Sequence, residues 1–234
     1  MMRIIYGVLA GWMLVTLISC DRSTSANQEI KQELLETGST ETASEEGLAT
    51  ILFFGNSLTA GFGLEPEQAF PNLIQQILDS LGYPYQVINA GLSGETTASG
   101  VNRIEWVLRE PVDIMILELG GNDGLRGIDP SVVRSNLQEI INLAKGKYPS
   151  MKIILAGMEA PPNMGNEYIL DFRNTFPQIA EQNQLPLIPF LLEGVGGEPE
   201  LNLPDGIHPN EQGHRIVAST VWEVLQDQLE LVSQ

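Results

Sequence analysis

Short apolar runs alternate with longer amphipathic segments from residue 48 onward. Five runs bounded by polar residues, glycine or proline lie at 48–54, 85–89, 112–119, 152–157 and 185–189. Such runs are typical of strands buried on both faces. Apolar residues at helical spacing mark the segments 70–81, 98–109, 130–145 and 167–182, and a last helix is predicted after Pro209. Strands that alternate with helices predict one three-layer α/β/α domain around a parallel five-stranded sheet.

The first 20 residues follow a different pattern. Residues 1–3 are a short positive start, residues 4–18 an apolar core and residues 17–20 an exit that ends on Cys20. This order is typical of a secretory signal. Because Cys20 closes it, the segment resembles a bacterial lipoprotein signal with its lipobox, whose cleavage leaves Cys20 lipidated. The alternative is an uncleaved membrane helix, which normally needs about 20 apolar residues.

Residues 21–47 are rich in Ser, Thr and Glu and show no apolar periodicity. We predict a disordered acidic tether between the anchor and the domain at 48–234. The expected location is the cell envelope, with the domain tethered to a membrane and facing the periplasm or the exterior. Asp21 resembles a signal for retention in the inner membrane, and the choice between inner and outer membrane stays open.

The net charge of the chain limits the classes of partner that it can bind. Lys and Arg total 12 against 30 Asp and Glu, a formal net charge of -18. This field opposes binding to nucleic acid phosphates, so we expect no nucleic acid partner. With two His and one Cys the usual zinc ligand sets cannot be assembled, and we expect neither a metal nor a cofactor. The oligomeric state is left open.

Three residue types of a serine hydrolase stand at predicted loop positions. Ser57 follows the first predicted strand, and Asp205 precedes His208 by three residues near the chain end. A serine hydroxyl is a poor nucleophile until a base, usually a histidine oriented by a carboxylate, takes its proton. The alternative is that Ser57 caps a helix and that Asp205 and His208 lie on a surface loop. His214 is expected to be structural.

Four segments carry a resemblance to a known family. GNSLTAG, NAGLSGETTASG, LELGGNDG and DGIHPNEQGH occur in this order between residue 48 and the chain end. They resemble the motif blocks of the SGNH hydrolases, also called the GDSL family, and most of all its bacterial arylesterase, thioesterase and lysophospholipase branch. The resemblance implies a flavodoxin-like fold, Ser57 as nucleophile, His208 as base and Asp205 as its orienter. It further implies an oxyanion hole formed by the N–H groups of Ser57 and Gly94 and the side chain of Asn122.

One position departs from that family, whose residue before the serine is usually Asp and is here Asn56. An Asn retains the size and the hydrogen bonding of Asp but not its charge. Because the proposed chemistry takes its carboxylate from Asp205, we expect an active enzyme.

The expected function is the hydrolysis of a small carboxylic ester or thioester, including one derived from lipid. Residues expected to bind the substrate follow the third and fourth strands: Leu119, Asp123, Leu125, Met158, Pro161 and Met164. The apolar members could instead belong to the core. Two alternatives remain, a carbohydrate O-acetylesterase and a noncatalytic lipoprotein that binds a ligand.

Overall fold

The structure, a computed structural model, describes residues 47–230. Its centre is a parallel sheet of five strands in the order β2-β1-β3-β4-β5. The strands are β1 (Ala49–Gly55), β2 (Tyr85–Gly91), β3 (Ile114–Glu118), β4 (Lys152–Ala156) and β5 (Leu187–Ile188). Every residue of β3 is buried, because helices cover both faces of the sheet.

Seven α-helices surround the sheet in the described part of the chain. They are α1 (Ser57–Ala60), α2 (Phe70–Leu81), α3 (Thr97–Val107), α4 (Gly121–Leu125), α5 (Pro130–Lys147), α6 (Asn166–Asn183) and α7 (Glu211–Leu225). Helices α2 and α7 pack together in one layer, and α3, α5 and α6 form the other. The three-layer fold with a five-stranded parallel sheet is therefore confirmed.

The predicted boundaries hold to within a few residues, with two differences in the strands. The third strand was predicted over 112–119 and is Ile114–Glu118, and the fifth was predicted over 185–189 and is only Leu187–Ile188. Helix α2 ends where predicted, because Gly82 takes the left-handed conformation at φ 72°, which glycine adopts without steric cost. Helices α1 and α4 were not predicted.

The predicted lipoprotein signal with Cys20 and all but the last residue of the predicted tether at 21–47 lie outside the described residues. From 47 to 230, no helix is both long and apolar enough to cross a membrane.

The predicted catalytic residue Ser57 and the predicted oxyanion donors follow the carboxyl ends of three strands. Gly55 ends β1 two residues before Ser57, Gly91 ends β2 before Gly94, and Glu118 ends β3 before Asn122. Because neighbouring strands are parallel, these ends meet at one edge. At that edge the loop after β2 packs on the end of β1, since the N–H of Leu92 donates to the Gly55 carbonyl at 2.9 Å.

Candidate active site

The structure brings Ser57, His208 and Asp205 into one hydrogen-bonded row. Ser57 Oγ lies 2.9 Å from His208 Nε2, and His208 Nδ1 lies 2.7 Å from Asp205 Oδ2. An acceptor carboxylate at Nδ1 selects the tautomer whose proton is on Nδ1, which leaves Nε2 free to accept the serine proton. Ser57 and His208 are 151 positions apart in the chain. Together with Asp205 they have the geometry of a nucleophile, a base and an orienting carboxylate.

A tight turn holds the orienting carboxylate. Asp205 Oδ1 accepts from the main-chain N–H groups of Ile207 at 2.9 Å and His208 at 3.0 Å, so that Oδ2 faces the imidazole. Hydrogen bonds from the Ile207 N–H, the His208 side chain and the His208 N–H lower the pKa of Asp205 to about 2. Asp205 is therefore an anion throughout the range in which a histidine titrates.

A buried carboxylate lies beneath the nucleophile turn. Glu118 is 1% exposed and accepts from the N–H of Asn56 at 3.1 Å, from Asn56 Nδ2 at 2.6 Å and from the Thr59 hydroxyl at 2.8 Å. Burial raises the pKa of Glu118 to about 7, although hydrogen bonds from Thr59 and Asn56 lower it. Gly55 provides the space, because a Cβ there would lie 2.5 Å from Glu118 Oε2. The sequence did not single out Glu118, and its contacts are 59 to 62 residues distant along the chain.

Asn56 joins this carboxylate to the nucleophile. Its Oδ1 accepts from the N–H of Leu58 at 2.9 Å, which caps α1, and lies 3.4 Å from Ser57 Oγ. Ser57 is the first residue of α1, and the N–H groups of a first helical turn have no partner within the helix. The turn therefore presents both the hydroxyl and the main-chain N–H of Ser57 at the sheet edge.

The two other predicted oxyanion donors lie on neighbouring segments, Gly94 in the loop after β2 and Asn122 in the first turn of α4. Asn122 Nδ2 donates to the Glu95 carbonyl at 3.0 Å, which ties α4 to the loop after β2. An amide NH₂ carries two N–H groups, so one remains for a substrate. Gly94 is exposed, with φ 82°, and its carbonyl accepts from Arg126 Nη2 at 3.2 Å. Arg126 was not singled out in the sequence.

Paired side chains brace these loops from below. Glu95 is 3% exposed and is bound by Arg103, whose Nη2 also donates to the Ala90 carbonyl at 2.8 Å. The two oxygens of Asp123 accept from the N–H of Thr97 at 3.0 Å and from its hydroxyl at 2.6 Å. Asp123 therefore holds the start of α3 instead of facing a substrate.

The structure corrects three of the predicted substrate-binding residues. Leu119, Asp123 and Met158 are 0%, 1% and 5% exposed, so they belong to the interior. Leu125 is 46% exposed, and Pro161 and Met164 are half-buried, so these three remain at the surface. Phe62, which no sequence motif indicates, is 47% exposed and packs on the imidazole of His208 with ring centroids 4.4 Å apart.

The second histidine has the structural position that was expected. His214 is 1% exposed, and its Nδ1 accepts from the N–H of Phe70 at 3.1 Å. Burial, with the charge of His208 adding to it, lowers the pKa of His214 to about 4. Among residues 47–230, no group of three or more His, Cys, Asp or Glu side chains is placed to hold a metal ion.

A Ser/His/Asp row at the carboxyl edge of a parallel α/β/α sheet is the arrangement of a serine hydrolase. The model of the GDSL-like Lipase/Acylhydrolase family matches residues 53–216. The chain is 38% identical to Esterase TesA of Pseudomonas aeruginosa over 178 residues, which cover 76% of this chain and 88% of that protein. It is 33% identical to Thioesterase 1/protease 1/lysophospholipase L1 of Escherichia coli over 178 residues, which cover 76% and 83%. The chain belongs to the GDSL-like lipase/acylhydrolase family.

The fold agrees with a solved structure of a similar protein. A crystal structure of TesA superposes with a TM-score of 0.74 at 38% sequence identity, covering 77% of this chain and 99% of that one.

Proposed function

We propose that this chain is a serine esterase that hydrolyses carboxylic esters or thioesters through an acyl-enzyme on Ser57. The row from Ser57 Oγ through the His208 imidazole to Asp205, with distances of 2.9 and 2.7 Å, is the observation that carries the proposal. The names of its relatives, an esterase and a thioesterase/lysophospholipase, support the same class of reaction.

In the proposed reaction, Ser57 Oγ attacks the carbonyl carbon while His208 Nε2 takes the hydroxyl proton. The tetrahedral intermediate then expels an alcohol or thiol, which receives that proton from His208, and an acyl-serine ester remains. Water attacks this ester with His208 again as the base, and the acid leaves. Asp205 stays ionised because its pKa is about 2, so it stabilises the imidazolium in both halves.

Charge that develops on the carbonyl oxygen requires donors at the sheet edge. The N–H of Ser57, the N–H of Gly94 and the second N–H of Asn122 are the proposed donors. Gly94 suits the position because nothing lies within 4 Å of a Cβ built there, so this loop faces open space. Preorganised donors of this kind commonly make the largest electrostatic contribution to acyl transfer.

The substrate is proposed to be a small ester or thioester with an apolar acyl group. Apolar side chains are exposed beside the catalytic row, after β2 and at the end of α4: Phe62, Leu92, Leu125 and Ile207. Exposed apolar surface next to a nucleophile favours burial of an acyl chain over binding of a sugar, which needs several polar partners.

Turnover of aryl esters of increasing acyl length by the purified chain tests the proposal. We expect hydrolysis that extends beyond acetyl esters and is lost in Ser57→Ala. Activity confined to acetyl esters of carbohydrates would favour the O-acetylesterase alternative. A folded wild-type chain that binds the esters without hydrolysing them would favour the noncatalytic one.

The membrane anchor is a separate proposal, and it rests on Cys20 standing where an apolar segment gives way to a polar one. Several acyl chains on one residue add about 0.8 kcal/mol per buried CH₂, which suffices for stable attachment. In a bacterial host, Cys20→Ser should remain unprocessed or be released as a soluble esterase. An intact Met1 or an unmodified Cys20 in mass spectra of the wild-type protein would contradict the lipoprotein proposal.

A further inference from the structure

The buried carboxyl of Glu118 is surrounded by hydrogen-bond donors. Oε2 accepts both the N–H of Asn56 and the Thr59 hydroxyl, and Oε1 accepts Asn56 Nδ2. Two of these contacts are side chain to side chain, at 2.6 Å from Asn56 Nδ2 and 2.8 Å from the Thr59 hydroxyl. The N–H and the NH₂ group of Asn56 can only donate, and with the Thr59 hydroxyl donating as well, the set satisfies an ionised carboxyl.

These contacts hold the turn on which the nucleophile sits. Asn56 and Thr59 flank Ser57, so Glu118 fixes the backbone on both sides of the serine from beneath. A continuous row of polar contacts runs from His208 through Ser57 and Asn56 to Glu118, with distances of 2.9, 3.4 and 2.6 Å. A shift of Glu118 would therefore move the hydroxyl relative to the base.

Three acidic side chains of the neighbouring segments are engaged with partners of their own. They are bound in pairs: Asp123 to Thr97, Glu95 to Arg103, and Asp205 to His208. The hydrogen bonds to the Glu118 carboxyl come from Asn56 and Thr59. We propose that Glu118 is a positioning residue that holds the nucleophile turn as an anion, and that Asn56 is the partner that allows it to be one.

The residue at position 56 matters because of the 2.6 Å contact between its side chain and Glu118 Oε1. A carboxylate at position 56 would meet a second carboxylate at that distance, and the pair would have to share a proton. The resemblance places Asp at this position in the family, whereas Asn56 places a donor against Glu118. The burial that raises the pKa of Glu118 to about 7 makes its charge sensitive to pH in the working range.

A reciprocal exchange tests the pairing, using the full chain in detergent and a short aryl ester. Glu118→Gln places an NH₂ group against either Asn56 Nδ2 or the Asn56 main-chain N–H, and Asn56→Asp places two carboxylates in contact. We expect each single variant to lose at least about tenfold in kcat with KM changed by less than about twofold. In the double variant the donor is on residue 118 and the acceptor on residue 56, the reverse of wild type. Its kcat should return to within about threefold of wild type. Glu105→Gln, at an exposed position of α3, is the matched control and should behave as wild type.

The pH dependence of kcat/KM supplies a second readout that loss of folding cannot mimic. Wild type needs both His208 neutral and Glu118 ionised, so its activity should fall with two protons on the acid side. Glu118→Gln has no carboxyl at either position, retains only the His208 proton and should fall with one. Asn56→Asp alone should lose activity at alkaline pH, where the shared proton leaves.

Additive losses in the double variant, or a one-proton acid limb in wild type, would overturn the role of Glu118. If a single variant does not fold, the number of protons in the acid limb of wild type decides. The inference rests on the proposed esterase reaction, and failure of that reaction can be told apart from failure of the pairing between Glu118 and Asn56. A folded wild type that hydrolyses no ester overturns the reaction itself, whereas an active wild type with additive losses overturns only the pairing.

Discussion

Asn122 illustrates how a single side chain serves the site in two ways. One N–H of its amide donates to the Glu95 carbonyl at 3.0 Å, which fixes the orientation of the group. The other N–H is the proposed donor to the developing oxyanion. Two N–H donors on one nitrogen require an amide, because a hydroxyl of similar size has one donor and an apolar side chain has none.

At the residue scale we therefore expect Asn122→Ala to lose about 10²–10³ in kcat, since one oxyanion donor commonly contributes that much. The value of KM should change little, because the donor acts on charge that appears only in the transition state. Steady-state kinetics with a short aryl ester measure both. Asn102→Ala, at an exposed position of α3, is the control, and an equal loss in that variant would show a general effect on the fold.

Sequence motifs predict the roles of Ser57, His208 and Asp205, because each of these residues lies within a short motif that can be identified without the fold. Burial could not be predicted as well. Leu119 and Met158 follow apolar strands and are predicted to lie beside a substrate, yet both residues are buried. Glu118 was missed because its partners come from a segment about 60 residues earlier, which no local pattern records.

At the scale of elements, the position of α1 depends on its close contact with β2. A Cβ built on Gly91, the last residue of β2, would lie 2.2 Å from the Ala60 nitrogen. Asn89 Nδ2 also donates to the Thr59 carbonyl at 2.8 Å. Since α1 begins with Ser57, the end of β2 sets the height of the nucleophile above the sheet.

Gly91→Ala should therefore displace α1, with a cost of about 1–3 kcal/mol in stability, as is typical of overpacking. Activity should fall further than stability, because the hydroxyl moves relative to His208. Gly146→Ala in α5, where nothing lies within 4 Å of the added methyl group, is the control and should gain about 0.5–1 kcal/mol. Thermal unfolding and kcat measure the two effects, and a Gly91→Ala variant with unchanged kcat would contradict this role of β2.

Long elements were predicted well and short ones poorly, for a physical reason. Strands such as Ala49–Gly55 are continuous apolar runs, and helices such as Phe70–Leu81 repeat their apolar positions over several turns. Helices α1 and α4 have four and five residues, too few for a period to appear. They form because of capping and tertiary contacts, such as the bond from the Leu58 N–H to Asn56, and not because of propensity.

At the scale of the whole molecule, two buried groups give stability opposite dependences on pH. The pKa of His214 is lowered from 6.5 to about 4, so its contribution is present above 6.5 and is lost as pH falls toward 4. The pKa of Glu118 is raised from 4.5 to about 7, so its contribution is present below 4.5 and is lost as pH rises through 7. Between these limits the two effects offset one another.

Replacing His214 should expose this balance. His214→Asn keeps an acceptor for the Phe70 N–H but cannot be protonated, so the variant avoids the loss that wild type undergoes on acidification. Its free energy of unfolding relative to wild type should improve by about 2 kcal/mol between about pH 7 and pH 5. Urea unfolding at both pH values measures this. A difference between variant and wild type that is independent of pH would show that His214 does not titrate as described.

The central claim is that Ser57 is a nucleophile activated by His208, and covalent labelling with a fluorophosphonate tests it most directly. Mass spectrometry of the intact protein should show one adduct for each chain, and peptide mapping should place it on Ser57. The rate of labelling should fall as pH drops through the range in which histidine is protonated. Ser57→Ala and His208→Ala should remain unlabelled while folded. An adduct on another residue, or undiminished labelling in a folded Ser57→Ala variant, would contradict the account.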